Sequence, residues 1–98
     1  MRYAVPRAAP SSLKSQILRA ADSVVSNVVE GCAASSNKEF ARFLAMSIRS
    51  NTELEGHLRK ARDLGFLVAC THGVLADDTI EVRKMTVVLR RRVLERGD

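Results

Sequence analysis

The sequence predicts an all-α fold, an antiparallel up-down helical bundle with three main helices, and three observations carry that expectation. Apolar residues recur at intervals of three and four over three long stretches, the period of a helix with one face on a core. The stretches are punctuated by helix-start and helix-stop residues. No run shows the period of two and the hairpin turns that strands need. At 98 residues, 46% of them hydrophobic, the chain supports a single domain with one modest core.

The first helix is expected over about residues 12–30. Pro6 and Pro10 make residues 1–11 an irregular lead, and Ser11 or Ser12 offers an N-cap. Leu13, Ile17, Ala20, Val24 and Val28 form the apolar stripe, widened by Ala21, Val25 and Val29. Gly31 can take the left-handed conformation that ends a helix. The second helix, over about residues 36–64, opens on a capping box: Ser36 bonds to the amide of Glu39 and Glu39 reaches back to the amide of Ser36. Phe40, Phe43, Leu44, Ser47, Ile48, Asn51, Leu54, Leu58 and Ala61 follow at helical spacing, and Gly65 closes it. The stretch FLVACTHGVLA reads as a partly buried connection. Asp77 or Asp78 then caps a third helix over about residues 78–95, with Ile80, Val82, Met85, Val88, Leu89 and Val93 as its apolar positions.

Sixteen Lys and Arg against eleven Asp and Glu leave a net charge of +5, spread along the chain and not confined to a tail. Such a balance favours anionic partners such as nucleic acid, RNA or DNA, or phospholipid headgroups. Cys32 and Cys70, 38 residues apart, make neither a disulfide framework nor a zinc ribbon and read as reduced thiols. No apolar run reaches the length of a signal peptide or a membrane span, so a cytoplasmic protein with no membrane partner is expected. The five glycines are scattered and make no phosphate-binding fingerprint, so no cofactor is indicated. Glu53, Glu55 and His57 lack the Glu-x-x-His spacing of a bundle metal site, and neither His57 nor His72 has an evident orienting acid to make Cys32 a nucleophile. A non-catalytic protein is the expectation.

One run of residues carries more than periodicity. Ser15-Gln16 and Arg19-Ala20-Ala21 are followed by Asn27 through Glu30-Gly31, then Lys38-Glu39-Phe40, Arg42-Phe43-Leu44, Ser50, Glu53-Leu54-Glu55, Leu58 and Leu64-Gly65. This pattern resembles the four-helix-bundle proteins encoded in intervening sequences of large-subunit ribosomal RNA genes, a family similar to the accessory variability protein of diversity-generating retroelements. The resemblance implies a four-helix bundle whose first helix is missing or shortened here. It also implies a homo-oligomer, a ring of five subunits; a protein partner such as a reverse transcriptase or ribosomal component belongs to the rival reading, an adaptor.

Two groups of residues are candidates for a site. Arg59, Lys60 and Arg62 near the end of the second helix, with Arg83, Lys84, Arg90, Arg91 and Arg92 on the third, are the expected phosphate-binding surface. Arg19, Asn27, Glu30, Lys38, Arg42 and Glu53 are the expected structural polar cluster, in which Lys38 and Arg42 offset Glu30 at the electronegative end of the first helix and Glu53 pairs with Arg19 or Arg49. Glu55 and His57 are expected on a solvated or intersubunit face. With Tyr3 the only tyrosine and no tryptophan, binding is expected to rest on phosphates and shape and not on bases. The alternative is an adaptor or assembly module that docks on an acidic protein.

Overall fold

A computed structural model describes residues 8–98. It is all-helical: α1 spans Ser11–Cys32, α2 spans Asn37–Asp63 and α3 spans Ala69–Arg96. Residues 1–7 of the expected irregular lead, with Pro6 and Tyr3, lie outside the described residues, and residues 8–10 are non-helical as expected.

The helix boundaries differ from expectation in four places, each for a local reason. The N-cap of α1 is Pro10, whose φ of −58° and ψ of 147° leave its carbonyl free to accept from the Lys14 amide at 3.1 Å, so Ser11 and Ser12 fall inside the first turn. Gly31 is not a left-handed cap. It is buried within α1, the helix runs on to Cys32, and the glycine is there for closeness, as the Phe40 ring lies where a side chain would go. The expected capping box at α2 is half made: Ser36 accepts from the Glu39 amide at 3.1 Å, while the Glu39 carboxylate turns to Arg42. The fourth difference is the largest. α3 begins at Ala69, so all but residues 66–68 of the expected connection is its first turns and Asp77 and Asp78 sit within the helix instead of capping it. The 69–77 stretch holds no proline and its one glycine, Gly73, is tolerated in a helix packed along a neighbour.

Gly65 does what its position suggests. With φ of 83° it lets Phe66 N–H reach the Ala61 carbonyl at 2.8 Å while its own N–H reaches Arg62 at 3.0 Å, the paired bonds of a Schellman ending. That tight turn sends α3 back along α2. Asn37 Nδ2 donates to the Gly97 carbonyl at 2.7 Å, and the Lys38 amide donates to the Asp98 carboxylate at 2.9 Å. An acid thereby sits at the electropositive start of α2.

α1 and α3 both pack on α2 and not on each other. The result is an open row of helices, 57 × 25 × 15 Å, with α2 in the middle. Along α1 the covered positions Leu13, Ile17, Ala20, Val24, Asn27 and Gly31 alternate by four and three. Along α3 the covered positions are His72, Ala76, Thr79, Arg83, Thr86, Arg90 and Val93, with the same alternation. This spacing of 3.5 on average is that of helices crossing at a shallow angle. The core between them is thin: Ala41, Leu44 and Val93 are its buried centre, with Val28 and Phe40 packed against it.

The seam of α3 corrects the expected apolar stripe. Of its expected core residues only Val93 is fully buried; Ile80 is half-buried and Val82, Met85, Val88 and Leu89 are exposed. The inward side is instead threonine and arginine, tied to α2 through the Thr79 carbonyl, Arg83 and Arg90, while the Thr79 and Thr86 hydroxyls bond back within α3. An apolar face of α3 is left to solvent.

Candidate functional site

The polar residues buried between the helices bond across them. Ser47 Oγ donates to the Val24 carbonyl at 2.8 Å, Ser23 and Ser50 hydroxyls meet at 2.7 Å, and Asn51 Nδ2 donates to the Thr79 carbonyl at 2.9 Å. Three small polar side chains of α2, at i, i+3 and i+4, thus reach both neighbours. The run is visible in the sequence as SIRSN, and the signal was the presence of such residues on an otherwise apolar face.

The expected polar cluster does not come together as one group. Asn27 bonds within its own helix, to the Ser23 carbonyl at 2.8 Å and to its hydroxyl at 3.1 Å. Arg42 pairs with Glu39 one turn earlier in α2, and its guanidinium lies 4.7 Å from the centre of the Phe43 ring. Glu30 is exposed, and among the described residues it forms no ion pair, so neither Lys38 nor Arg42 offsets it. Arg19 and Glu53 line one groove between α1 and α2 with Gln16, Ala20, Ser23 and His57, of about 230 Å³, without an ion pair among the described residues. The Arg42 contact is a surface one, and it holds the Glu39 carboxyl below the ordinary carboxylate value by hydrogen bonding.

The expected phosphate-binding cations divide sharply. Arg83 is structural: its guanidinium meets the Glu55 carboxylate at 2.5 Å and Asn51 Oδ1 at 3.5 Å, with both charged side chains about one-fifth to one-quarter exposed. Glu55 is therefore covered and paired, not on a solvated face. It also draws Arg59 to 3.7 Å, and Arg62 pairs with Asp63 at 2.9 Å. Arg90 is half-buried and donates from Nε to the Ala41 carbonyl at 3.2 Å, one of the ties between α3 and α2. Lys60, Lys84, Arg91 and Arg92 remain exposed, with no carboxylate in ion-pair range among the described residues.

The sequence pattern did not single out the outer side of α2 as a cationic surface. Lys38, Arg42, Arg49 and Lys60 are spaced by four, seven and eleven, which puts all of them on one face of α2, and all are exposed. The signal was present in the periodicity, but it required knowing that the opposite face carries the seams to α1 and α3. Arg90 fastens to Ala41, so Arg91 of α3 stands level with the first turns of α2 that carry Lys38 and Arg42.

Among the described residues no group of three His, Cys, Asp or Glu side chains is gathered to hold a metal ion. Cys32 and Cys70 are exposed and unbridged. No helix is long and apolar enough to cross a membrane. Chemically the surface offers unpaired guanidinium and ammonium groups, donors suited to phosphate oxygens.

Compared with known proteins, residues 2–88 match the family described as 23S rRNA-intervening sequence protein. Neither the curated proteins nor the solved structures gave a match.

Proposed function

The chain belongs to the 23S rRNA-intervening sequence protein family, and from that premise we propose that it is a non-catalytic, cytoplasmic accessory protein that binds RNA or DNA through phosphate contacts as a homo-oligomer. The observation that supports this reading is the state of Lys60, Lys84 and Arg91: exposed, and free of carboxylates in ion-pair range among the described residues. A cation already paired gains little from a phosphate, because it must first give up its acid; an unpaired one releases the counterions of the nucleic acid directly. The outer face of α2 adds Lys38 and Arg49 to this group. Among the described residues no aromatic side chain joins them, so sequence preference is weak and affinity falls steeply with salt.

The test is fluorescence anisotropy of a labelled structured RNA and an unrelated DNA duplex, titrated with the protein at several salt concentrations. Both ligands are expected to bind, with a linear fall of log affinity against log salt. The combined variant Lys60→Gln, Lys84→Gln, Arg91→Gln should flatten the slope on duplex DNA, by about 0.9 for each phosphate that is no longer neutralised. No binding at low salt, or a variant that binds as the parent does, overturns the reading. A protein adaptor that docks by the same cations on an acidic partner would then lead.

A further inference from the structure

One carboxylate on the cationic side of α2 stands without a cation. Among the described residues, Glu39 of that helix pairs with Arg42, Glu55 with Arg83 and Arg59, and Asp63 with Arg62, while Glu53 has no cation in ion-pair range. Arg49 lies four residues before it and Lys60 seven after, intervals that put all three on one side of the helix. Glu53 also lines the groove of about 230 Å³ between α1 and α2, together with Arg19, Gln16 and the half-buried His57, over a floor of Ala20 and Ser23. The Ser23 hydroxyl is engaged: it meets Ser50 at 2.7 Å and accepts from Asn27 at 3.1 Å. The side chains of Gln16, Arg19, Glu53 and His57 make no hydrogen bond or ion pair among the described residues. A guanidinium and a carboxylate that share a groove and leave each other unpaired keep both donors and acceptors for a ligand.

We propose that this groove seats one nucleotide of an RNA strand and that Glu53 distinguishes RNA from DNA. A carboxylate among phosphate-binding cations weakens attachment to any polyanion, so its placement calls for a donor on the ligand that offsets the repulsion. The sugar-phosphate backbone of DNA offers acceptors only. That of RNA adds a 2′-hydroxyl on every residue, which donates as well as accepts. Glu53 accepts from that hydroxyl, and Arg19 donates to the adjoining phosphate. The helices run antiparallel and Ser23 meets Ser50, so Arg19 stands about level with Glu53, and Gln16 with His57 as further donors along the same groove. A volume of about 230 Å³ is below the roughly 300–1,000 Å³ that encloses a free small molecule. It suits one unit of a longer chain, whose neighbouring phosphates lie outside the groove on Arg49 and Lys60. A deoxyribose in the same place leaves the carboxylate facing hydrogens on carbon. The proposal rests on the nucleic-acid reading above and adds which nucleic acid is preferred, so phosphate binding and RNA preference can fail separately.

The experiment is fluorescence anisotropy of the full chain at low salt with three labelled oligouridine strands of equal length, built on ribose, deoxyribose and 2′-O-methyl ribose. The strands share base type and charge, and the methyl ether has no proton to donate. The parent is expected to bind the ribose strand about three- to tenfold more tightly than either of the others, the effect of one hydrogen bond to a partly exposed carboxylate. Glu53→Ala removes an acceptor that only the ribose strand uses and a repelling charge that all three strands feel. It should lower affinity for the ribose strand and raise it for the deoxyribose strand, so that the three bind alike. Glu53 is exposed, and circular dichroism checks that the helices of the variant are intact. The combined Lys60→Gln, Lys84→Gln, Arg91→Gln variant is the contrast: it should weaken all three strands and keep their order. Equal binding of the ribose and deoxyribose strands by the parent, or an equal gain for all three in Glu53→Ala, overturns this inference and leaves the phosphate reading standing. A ribose preference that survives Glu53→Ala overturns it too, by placing the discrimination elsewhere. Absence of binding to every strand overturns both.

Discussion

Gly31 of α1 and Phe40 of α2 approach so closely that a Cβ on the glycine would stand 2.8 Å from Phe40 Cδ1 and 3.2 Å from Phe43 Cβ. The glycine is helical, so conformational freedom is not what it supplies; it supplies the absence of a side chain where α1 turns toward α2. Replacing it tests that directly. Gly31→Ala gains about 1 kcal/mol of helix propensity and overfills a packed contact at a cost of about 1–3 kcal/mol. A net destabilisation of about 1 kcal/mol is expected in urea unfolding. Gly56→Ala is the control: nothing lies within 4 Å of the added Cβ on that exposed helical site. It is expected to stabilise the protein by about 0.5–1 kcal/mol.

Arg83 and Glu55 give the second prediction, because the pair separates structural cations from ligand-binding ones. Arg83→Ala leaves Glu55 partly covered without its closer partner and removes a donor to Asn51, so a loss of about 1–3 kcal/mol is expected. A double-mutant cycle with Glu55→Ala should recover a coupling of about 1 kcal/mol or more. The nucleic-acid affinity of Arg83→Ala, measured where the protein is folded, should stay within about twofold of the parent, in contrast to the Lys60, Lys84, Arg91 variant. A large loss of affinity would return Arg83 to the binding surface.

Much of the bundle could be read from the sequence, and the parts that could not have a common cause. α1 and α2 were legible because their apolar stripes are the faces that pack: Leu13, Ala20 and Val24 on one, Leu44, Leu58 and Ala61 on the other. Ser36 and Gly65 mark the ends of α2 by local chemistry alone. α3 broke the rule that the apolar stripe faces inward. Its seam is Thr79, Arg83, Thr86 and Arg90, of which the Thr79 carbonyl, Arg83 and Arg90 are held by hydrogen bonds to specific atoms of α2, and no one-dimensional pattern distinguishes such residues from solvated ones. The same blindness made eight cations look equivalent when half of them are engaged by a carboxylate or a backbone carbonyl. Pairing depends on which helices are neighbours and in what register, and that information is long-range.

Asn51 shows how much of α3 depends on one side chain, and this is the third prediction. Its Nδ2 donates to the Thr79 carbonyl and its Oδ1 accepts from Arg83, so it ties α2 to α3 by two bonds while 2% exposed. Asn51→Leu keeps the volume but leaves Arg83 with Glu55 alone and the Thr79 carbonyl with its helical partner only. The expected cost is about 1–3 kcal/mol, and amide hydrogen exchange should localise the loosening to α3 and not to α1. Equal loosening of both neighbours would show that Asn51 acts through the core as a whole.

The pH dependence of the Glu39–Arg42 pair is the last prediction, and its sign follows from the direction of the shift. The Arg42 side-chain hydrogen bond holds the Glu39 carboxyl below its ordinary 4.5; desolvation opposes that shift and the charge of Arg42 adds to it. A carboxyl more acidic in the folded chain than in the unfolded one contributes stability that is fully present above the unfolded value. That contribution is lost as pH falls through the lower folded value. Arg42, raised above its ordinary value by the same bond, keeps its proton throughout that window. The melting temperature of the parent should therefore decline more than that of Arg42→Gln as pH is lowered from about 5 to about 2. All other carboxylates are common to the two proteins, so the difference between the curves isolates this pair. Because both groups are at the surface, the difference should be small and should shrink as salt is added. Ser36→Ala, which removes the neighbouring cap at a cost of about 1 kcal/mol, should lower both curves and leave their separation in place. A separation that persists unchanged at pH 2 and in high salt would mean that Arg42 stabilises α2 through its contact with the Phe43 ring and not through Glu39.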